Sequence, residues 1–401
     1  MILRKAFNHK LDALVRPEVR IPSRFWPSFQ VCGYTGLALA ILLSITLVMH
    51  QGLSPWIMVG IILTSVLTFF AQAIITKIIV GDEDLVYYRH EIAVLSMSAL
   101  FLWIMRQPIL PYLDATLLGV GIFLACGRVG CLMVGCCHGR PYHWGVCYRE
   151  EHAAAGFAPY YVGVRLFPSQ AVESLWALCI VLVGSVFVLS GSPAGTALAW
   201  YVVMYDTGRF YFEFARGDVD RPYLRGFSEA QWVSMLLMCL VVVAESFGVL
   251  HFQFWHVLAT LCVAGTMVAV ALKRRFQNTP KHRLLHPSHV KEFAEVLQRV
   301  ANPVSNGVQV GCTSLGIRVS VGEIRGEQGV VWHYGLSQLD GEMTEEVAKI
   351  MGRLIVQLRH YSGGRLMRGK QGVFHLLVDV VQEDEMNILQ ASPYVAGIRV
   401  V

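Results

Sequence analysis

The stretch Val31-Cys-Gly-Tyr-Thr-Gly-Leu-Ala-Leu-Ala-Ile-Leu-Leu-Ser-Ile-Thr-Leu-Val-Met49 decides the fold class, because it runs nineteen residues without a charge. A helix rises about 1.5 Å per residue and the hydrocarbon core of a bilayer is about 30 Å thick, so a run of roughly 20 apolar residues crosses it. Lipid offers backbone groups no hydrogen-bond partner, so the run must satisfy its own as a helix. Seven further runs follow along the chain, at 57–80, 92–105, 109–126, 171–189, 194–212, 231–247 and 252–272. The run at 92–105 is short, and Pro111 and Asp114 interrupt the one at 109–126. No strand-like alternation points to a barrel.

Composition agrees. The 401 residues are 55% hydrophobic and only 15% charged, where a soluble domain carries about 25% charged residues. Mean hydropathy is +0.50. Disorder, which needs low hydrophobicity and high charge, is excluded. The net charge of +5 is too mild and too dispersed for a nucleic-acid partner. Ten cysteines are too few for a disulfide scaffold of this length.

Outward from the apolar runs, residues 1–27 carry Arg4, Lys5, Lys10, Arg16, Arg20 and Arg24 ahead of any apolar core, which reads as a basic interfacial segment with Leu11, Leu14 and Val15 on an amphipathic face rather than a signal peptide. Lys273-Arg274-Arg275 stops the last run, and a basic linker covers 274–286. From 287 to 401 the pattern is that of a soluble mixed α/β domain with a core of its own. Helical spacing covers 290–300. Strands are expected at 307–323, 329–337 and 371–381. An amphipathic helix is expected over 344–361, with Val347, Ile350, Met351, Leu354, Ile355 and Leu358 on one face. The domain plan is therefore 1–27, a membrane domain at 28–250, a further transmembrane helix at 251–273, the linker at 274–286 and the soluble domain at 287–401. The fold class is an all-α polytopic membrane bundle with an appended α/β domain.

The residues that carry chemistry gather in the connections at one end of the helices. Cys126-Gly-Arg128-Val-Gly130-Cys131-Leu-Met-Val-Gly135-Cys136-Cys137-His138-Gly139-Arg140-Pro141 reads as a loop after the fourth run, combining glycines, which let backbones approach closely, with arginines, whose planar fork suits phosphate. Interfacial arginines also commonly snorkel without binding anything. Tyr87-Tyr88-Arg89-His90-Glu91 opens the third run, and Arg209-Phe-Tyr-Phe-Glu213-Phe-Ala-Arg216-Gly-Asp218 closes the sixth, with Arg209, Glu213 and Arg216 spaced to share one helix face. Pro168-Ser169-Gln170, with Glu173 one turn on, opens the fifth. Helix parity puts all of these on one side of the membrane. Ionisable groups at such depth face a cavity or one another.

Taken together, Gly127-Arg128-Val129-Gly130, Gly139-Arg140-Pro141, Pro168-Ser169-Gln170 with Glu173, Arg209-Phe210 with Glu213 and Arg216, and Ser228 with Gln231 stand in the order and rough spacing of a known family. Over about residues 29–250 the chain resembles the phosphatidylglycerol–prolipoprotein diacylglyceryl transferases. The resemblance implies a seven-helix membrane bundle, here with an eighth span added. The implied reaction moves a diacylglyceryl group from phosphatidylglycerol to a cysteine thiol of a lipoprotein precursor, with glycerol phosphate leaving. It implies that Arg128 and Arg209 cradle the phosphate and that His90 is the base. Tyr34, Gly130, Gly139, Arg140, Ser169, Gln170, Glu213 and Arg216 then line or orient the site, Glu213 and Arg216 through an ion pair. The sequence departs from the family pattern at Cys131, where asparagine is usual, at Val134-Gly135-Cys136, where Asn-Gly-Glu is common, and at Glu91-Ile92, where two glycines usually follow the histidine.

Cys126, Cys131, Cys136, Cys137 and Cys147, with His138 and His143, fall within 22 residues. Small side chains filling space beside helix ends account for them best, with a redox pair and a zinc site as the alternatives; the spacing lacks two CxxC pairs. No metal ligand and no cofactor is assigned. The expected partners are phosphatidylglycerol and a protein or thiol acceptor, with no nucleic acid and an unknown partner for the C-terminal domain. The other functional classes are a transferase of the same fold with another lipid or thiol acceptor, a cysteine-rich redox or metal-binding membrane protein, and a lipid-binding scaffold. Orientation follows from short flanking segments. Eleven Lys and Arg outside the motifs flank the runs on the chemical side, against Arg106 alone on the other. Both termini and the C-terminal domain are therefore expected in the cytoplasm, with the bundle in the inner, or plasma, membrane.

Overall fold

The computed structural model describes residues 2–81, 87–219, 221–276, 281–301, 309–326, 329–359, 361 and 363–379. The chain opens with α1 (Ile2–Leu14) and a hairpin of β1 (Glu18–Ile21) and β2 (Arg24–Pro27). Each of the eight apolar runs then forms one helix: α2 (Ser28–His50), α3 (Pro55–Val80), α4 (Tyr87–Ile104), α5 (Ile109–Val134) and, after β3 (Pro141–Cys147), a short α6 (Glu150–Ala154) and β4 (Arg165–Leu166), α7 (Ser169–Leu189) and α8 (Thr196–Phe212). A small hairpin of β5 (Tyr223–Leu224) and β6 (Phe227–Ser228) leads to α9 (Glu229–Ser246) and α10 (Phe254–Phe276). Six of these helices, α2, α3, α5, α7, α9 and α10, are long and apolar enough to cross a membrane. A chain with this many is a multi-pass membrane protein. The other two, α4 and α8, are 18 and 17 residues long and carry Arg89, His90 and Glu91, and Asp206 and Arg209.

The bundle is built around α5. Fifteen of its 26 residues are buried, against five of 23 in α2, so α5 is the axis on which α2, α7 and α8 pack. Ser44 of α2 donates to the Ala115 carbonyl across that interface at 3.1 Å, as small polar residues do between membrane helices. Leu67, Phe70 and Ile78 of α3, Leu182 of α7 and Leu261 of α10 stand exposed on the outer surface, which suits lipid as the solvent. The two residues that interrupt the fourth run do not break it. Asp114 is buried and accepts from the Gly195 and Leu198 amides, both at 2.7 Å, and so caps α8, whose first N–H groups would otherwise be orphans in the bundle interior. Glu245 of α9 and His256 of α10 share a buried contact of 2.5 Å that ties α10 into the bundle.

On the end of the bundle that carries Arg140, α1 is stitched to β3. The Asn8 amide donates to His143 and its oxygen accepts from Gly145, while Asp12 accepts from Arg165 at 2.8 Å and from the Cys147 amide. Val15 is buried and Leu11 partly so, but Leu14 is 53% exposed. It is the last residue of α1, where the chain turns toward β1, so it does not join the expected face.

Beyond α10 lie α11 (Lys281–Leu284) and α12 (Pro287–Ala301), then β7 (Val310–Cys312), β8 (Ile317–Gly326), β9 (Gly329–Gln338), α13 (Glu345–Leu358), β10 (Arg365–Arg368) and β11 (Phe374–Asp379). The strands form one antiparallel sheet in the order β10-β11-β9-β8-β7. The strand expected over 307–323 is two strands, because a tight turn at Gly316 (φ 75°) separates them, with residues 302–308 outside those described. The strand β10, which carries two arginines in four residues, had no sequence signal. Residues 380–381 of the last expected strand lie outside the described residues. The expected apolar face of α13 is buried, with Ile350 only partly so. This region does not close on itself. Leu284, Phe293, Leu297, Met351 and Ile355 share one continuous core with Leu132 on the last turn of α5 and with Tyr148, Tyr161 and Leu166 of the segments between α5 and α7. The boundary expected at 287 therefore falls inside a packed unit, with Leu284 already in its core.

Candidate active site

Gly127-Arg128-Val129-Gly130 is not a loop. It forms the last turns of α5, which runs to Val134 and ends on Gly135 in the left-handed conformation (φ 88°), its amide bonded to the Cys131 carbonyl at 2.9 Å. A rigid helix therefore aims Arg128 at α7. There Glu173, one turn past Ser169, is buried and lies within ion-pair distance of three guanidinium groups. Arg128 Nη2 lies 3.0 Å from its Oε1, Arg209 Nη1 3.3 Å from each oxygen, and Arg216 Nη1 3.7 Å from Oε2. The Tyr205 hydroxyl donates to Oε1 at 2.9 Å.

The ion pair expected between Glu213 and Arg216 is replaced by a wider network. The helix α8 stops at Phe212, so Arg216 does not share its face. Glu213 pairs with Arg209 at 2.7 Å and with Arg221, while Arg216 pairs with Asp218 at 2.9 Å, and Arg221 closes the ring on Asp218 at 3.0 Å. Burial works against the Asp218 carboxylate, yet Arg216 and then Arg221 hold it down at about 2. Arg140 Nε donates to the Arg216 carbonyl at 3.1 Å. Five arginines thus meet three carboxylates, an excess of positive charge in a place shut off from water. Three buried donors in it, Arg128 Nε, Arg216 Nη1 and Arg221 Nε, have no hydrogen-bond partner among the described residues.

Backbone pairing holds Arg140 against this network. Gly139 bridges Arg216, its amide donates to Phe167, and the Arg140 amide donates to Ala215. A Cβ at Gly139 would lie 2.5 Å from the Phe167 carbonyl oxygen, so only glycine fits. Gly130 faces α2, where a Cβ would come 3.1 Å from Phe29. Ser169 and Gln170 turn to the protein itself, donating to the Cys137 and Cys136 carbonyls at 2.9 and 2.7 Å. His90 is buried on α4 with its ring centroid 4.6 Å from that of Phe69. Tyr34 is not drawn into the network; it is 64% exposed on α2, beside Ser23, Arg24 and Trp26 of the first hairpin.

A family model for prolipoprotein diacylglyceryl transferase matches residues 35–245, more than half of the chain and all of the arginine network. The chain belongs to the prolipoprotein diacylglyceryl transferase family. It is 33% identical over 130 residues to a phosphatidylglycerol–prolipoprotein diacylglyceryl transferase of Dehalococcoides mccartyi, covering 32% of this chain and 48% of that one. It is 28% identical over 134 residues to the protein of that name from Clostridium tetani, covering 33% and 51%. The chain spans about half the length of the curated relatives it matches. The helix α10 and everything after it lie beyond the region that the prolipoprotein diacylglyceryl transferase model matches.

The cysteines of this family member divide in space. The Sγ atoms of Cys131, Cys136 and Cys137 lie within 4.8 Å of one another. Cys147 donates instead to the Gly163 carbonyl at 3.0 Å, and His138 is buried with Nδ1 2.8 Å from the Gly139 carbonyl oxygen. Hydrogen bonds from the Cys131 and Cys136 thiols, then the charges of Arg216 and Arg128, pull the Cys137 thiol well below its ordinary range, while burial opposes them. Sequence reasoning overlooked Arg221 and Tyr205. The signal for Arg221 is its place five residues after Arg216, in the same connection as Asp218. Tyr205 gave none, because a tyrosine in an apolar helix reads as core.

Proposed function

We propose that this chain moves a diacylglyceryl group from phosphatidylglycerol to a cysteine thiol of a prolipoprotein and releases glycerol phosphate. The observation that carries the reading is the set of three unpartnered buried donors, Arg128 Nε, Arg216 Nη1 and Arg221 Nε, in the arginine network that includes Glu173. A buried donor left unpaired costs about 1–3 kcal/mol, so these atoms are poised for the oxygens of an anion. In the reaction the thiolate sulfur attacks the glyceryl carbon, the carbon–oxygen bond to phosphate breaks, and the departing phosphate takes the negative charge. Fixed guanidinium groups aimed at that charge supply the stabilisation that water cannot. Arg128 and Arg209 hold the phosphate with Arg216 and Arg140 behind them, Glu173 and Glu213 fix the arginines, and His90 takes the thiol proton. Gly130 and Gly139 keep the walls close. Ser169 and Gln170 support the Cys136–Cys137 turn, and Tyr34 lies at the rim.

All eight long helices cross the membrane in this reading, α4 and α8 by lining the polar interior. The ends of the chain then lie on one side, the Lys- and Arg-rich side, which faces the cytoplasm across the inner membrane. The test is release of glycerol phosphate from labelled phosphatidylglycerol by the purified full chain with a cysteine-containing lipoprotein peptide, together with complementation of a strain depleted of its own transferase. Absence of both release and rescue from folded protein overturns the reading.

A further inference from the structure

We propose that Cys131, Cys136 and Cys137 form a three-thiolate site for one zinc-class metal ion, with the fourth coordination position open to solvent. The geometry comes from the end of α5. Cys131 sits on its last turns, Gly135 takes the left-handed cap, and Cys137 also adopts a positive φ of 55°, so the chain folds back and brings the second and third thiols over the first. A non-glycine residue at positive φ costs of order 1–3 kcal/mol and persists only where its surroundings enforce it. Here Ser169 and Gln170 of α7 pin the Cys137 and Cys136 carbonyls.

Zinc–sulfur bonds of about 2.3 Å at tetrahedral angles put sulfurs about 3.8 Å apart, so Sγ atoms within 4.8 Å of one another close on an ion by side-chain rotation alone. A disulfide uses only two of the three thiols; a metal uses all of them. Soft thiolate donors select zinc-class ions over magnesium or calcium. Cys131 is buried while Cys136 is exposed, which gives the ion an entry path and leaves a position for water. Three thiolates and a divalent ion together carry one negative charge, and Arg128 and Arg216, which interact electrostatically with Cys137, supply the opposite sign. The bound ion ties the end of α5 to the turn that leads into Gly139 and Arg140, so it braces the arginine network without belonging to it.

The test uses the full chain in detergent micelles, reduced and stripped of metal, titrated with Co2+ and then Zn2+. The expected result is one equivalent of Co2+ with thiolate-to-metal charge-transfer absorption, displaced by Zn2+, and at least tenfold weaker binding in each of Cys131→Ser, Cys136→Ser and Cys137→Ser. Cys126→Ser and Cys147→Ser should bind as the parent does. Where a serine variant fails to fold, mass-spectrometric alkylation of the parent replaces it, with Zn2+ shielding these three cysteines together. Absence of a stoichiometric thiolate band in the folded parent, binding that survives the three substitutions, or no shielding by Zn2+ overturns the site.

Discussion

Glu173 Oε1, one turn into α7, lies 3.0 Å from Nη2 of Arg128 on the last turns of α5. The contact joins two helices through buried charges, and the same carboxylate also faces Arg209 and Arg216. Breaking a buried pair from one side leaves uncompensated charge and costs about 3–5 kcal/mol. Glu173→Gln preserves the shape and an acceptor for Tyr205 but leaves Arg128 without its carboxylate, while Arg209 keeps Glu213 and Arg216 keeps Asp218. We expect a loss of stability of about that size, read as a lowered melting temperature in detergent. A melting temperature equal to the parent's shows that the three arginines do not depend on Glu173.

Arg209 is the cleaner probe of chemistry. Arg209→Lys keeps a positive charge beside Glu173 and Glu213 and loses the planar fork that meets both at once. Under the proposed reaction, loss of one donor to the departing phosphate lowers turnover by about 10²–10³-fold. Glycerol phosphate release from labelled phosphatidylglycerol measures it, with melting as the control for fold. Turnover within a few-fold of the parent removes Arg209 from the phosphate site.

Two glycines separate helix from turn. A Cβ at Gly127 meets nothing within 4 Å, and the residue is helical, so Gly127→Ala should be neutral or stabilising by up to about 1 kcal/mol. Gly139→Ala drives a methyl into the Phe167 carbonyl and should destabilise by about 1–3 kcal/mol. Thermal melting of both variants decides, and the reverse order would mean that 127–130 is not the end of α5.

That contrast also shows what the sequence could carry. Apolar runs locate helices well because lipid imposes length and self-satisfied hydrogen bonds, and all eight runs became helices. Their polar ends are read poorly. Gly-Arg-Val-Gly has loop composition, yet tertiary packing on α2 and α7 continues α5 through it. The arginines and Glu173 were legible as residue types at one membrane level. The hub role of Glu173 and the closing of the ring by Arg221 were not, since pairing depends on where α8 stops. The turn that gathers Cys131, Cys136 and Cys137 was equally hidden, because no ligand spacing announces two positive-φ residues in three. The shared core behind Leu284 went unseen for the same reason: a composition shift marks a change of solvent, not a boundary in packing.

Acid should weaken the network through Asp218. Its folded pKa of about 2 lies below the ordinary 3.8, so its contribution is complete above about pH 4 and is lost as pH falls toward 2. The shift of nearly two units corresponds to about 2 kcal/mol. Melting followed from pH 5 to pH 2.5 should fall more steeply in the parent than in Asp218→Asn, which has no proton to gain. Parallel curves would show that Asp218 is not held by Arg216 and Arg221.

The last prediction concerns the membrane. The segment α1 packs on β3, and α11, α12 and α13 share a core with the chain between α5 and α7, so the start of the chain and its C-terminal sheet region lie at one end of the bundle. An even number of crossings is what this geometry needs, and eight long helices supply it. Lys and Arg then set the side, since those outside the motifs crowd this end while the opposite connections carry Arg106 alone. Ser23, on the first hairpin, and Ser288, on α12, are both exposed and serve as sites for engineered cysteines. With a membrane-impermeant thiol reagent, measured against the background of native cysteines, neither Ser23→Cys nor Ser288→Cys should label in intact cells, and both should label once the membrane is opened. Labelling of both in intact cells keeps the eight crossings and reverses the orientation, placing the arginine network outside. Labelling of one alone breaks the structural argument itself, because residues tied into the same layer cannot lie on opposite sides of the bilayer.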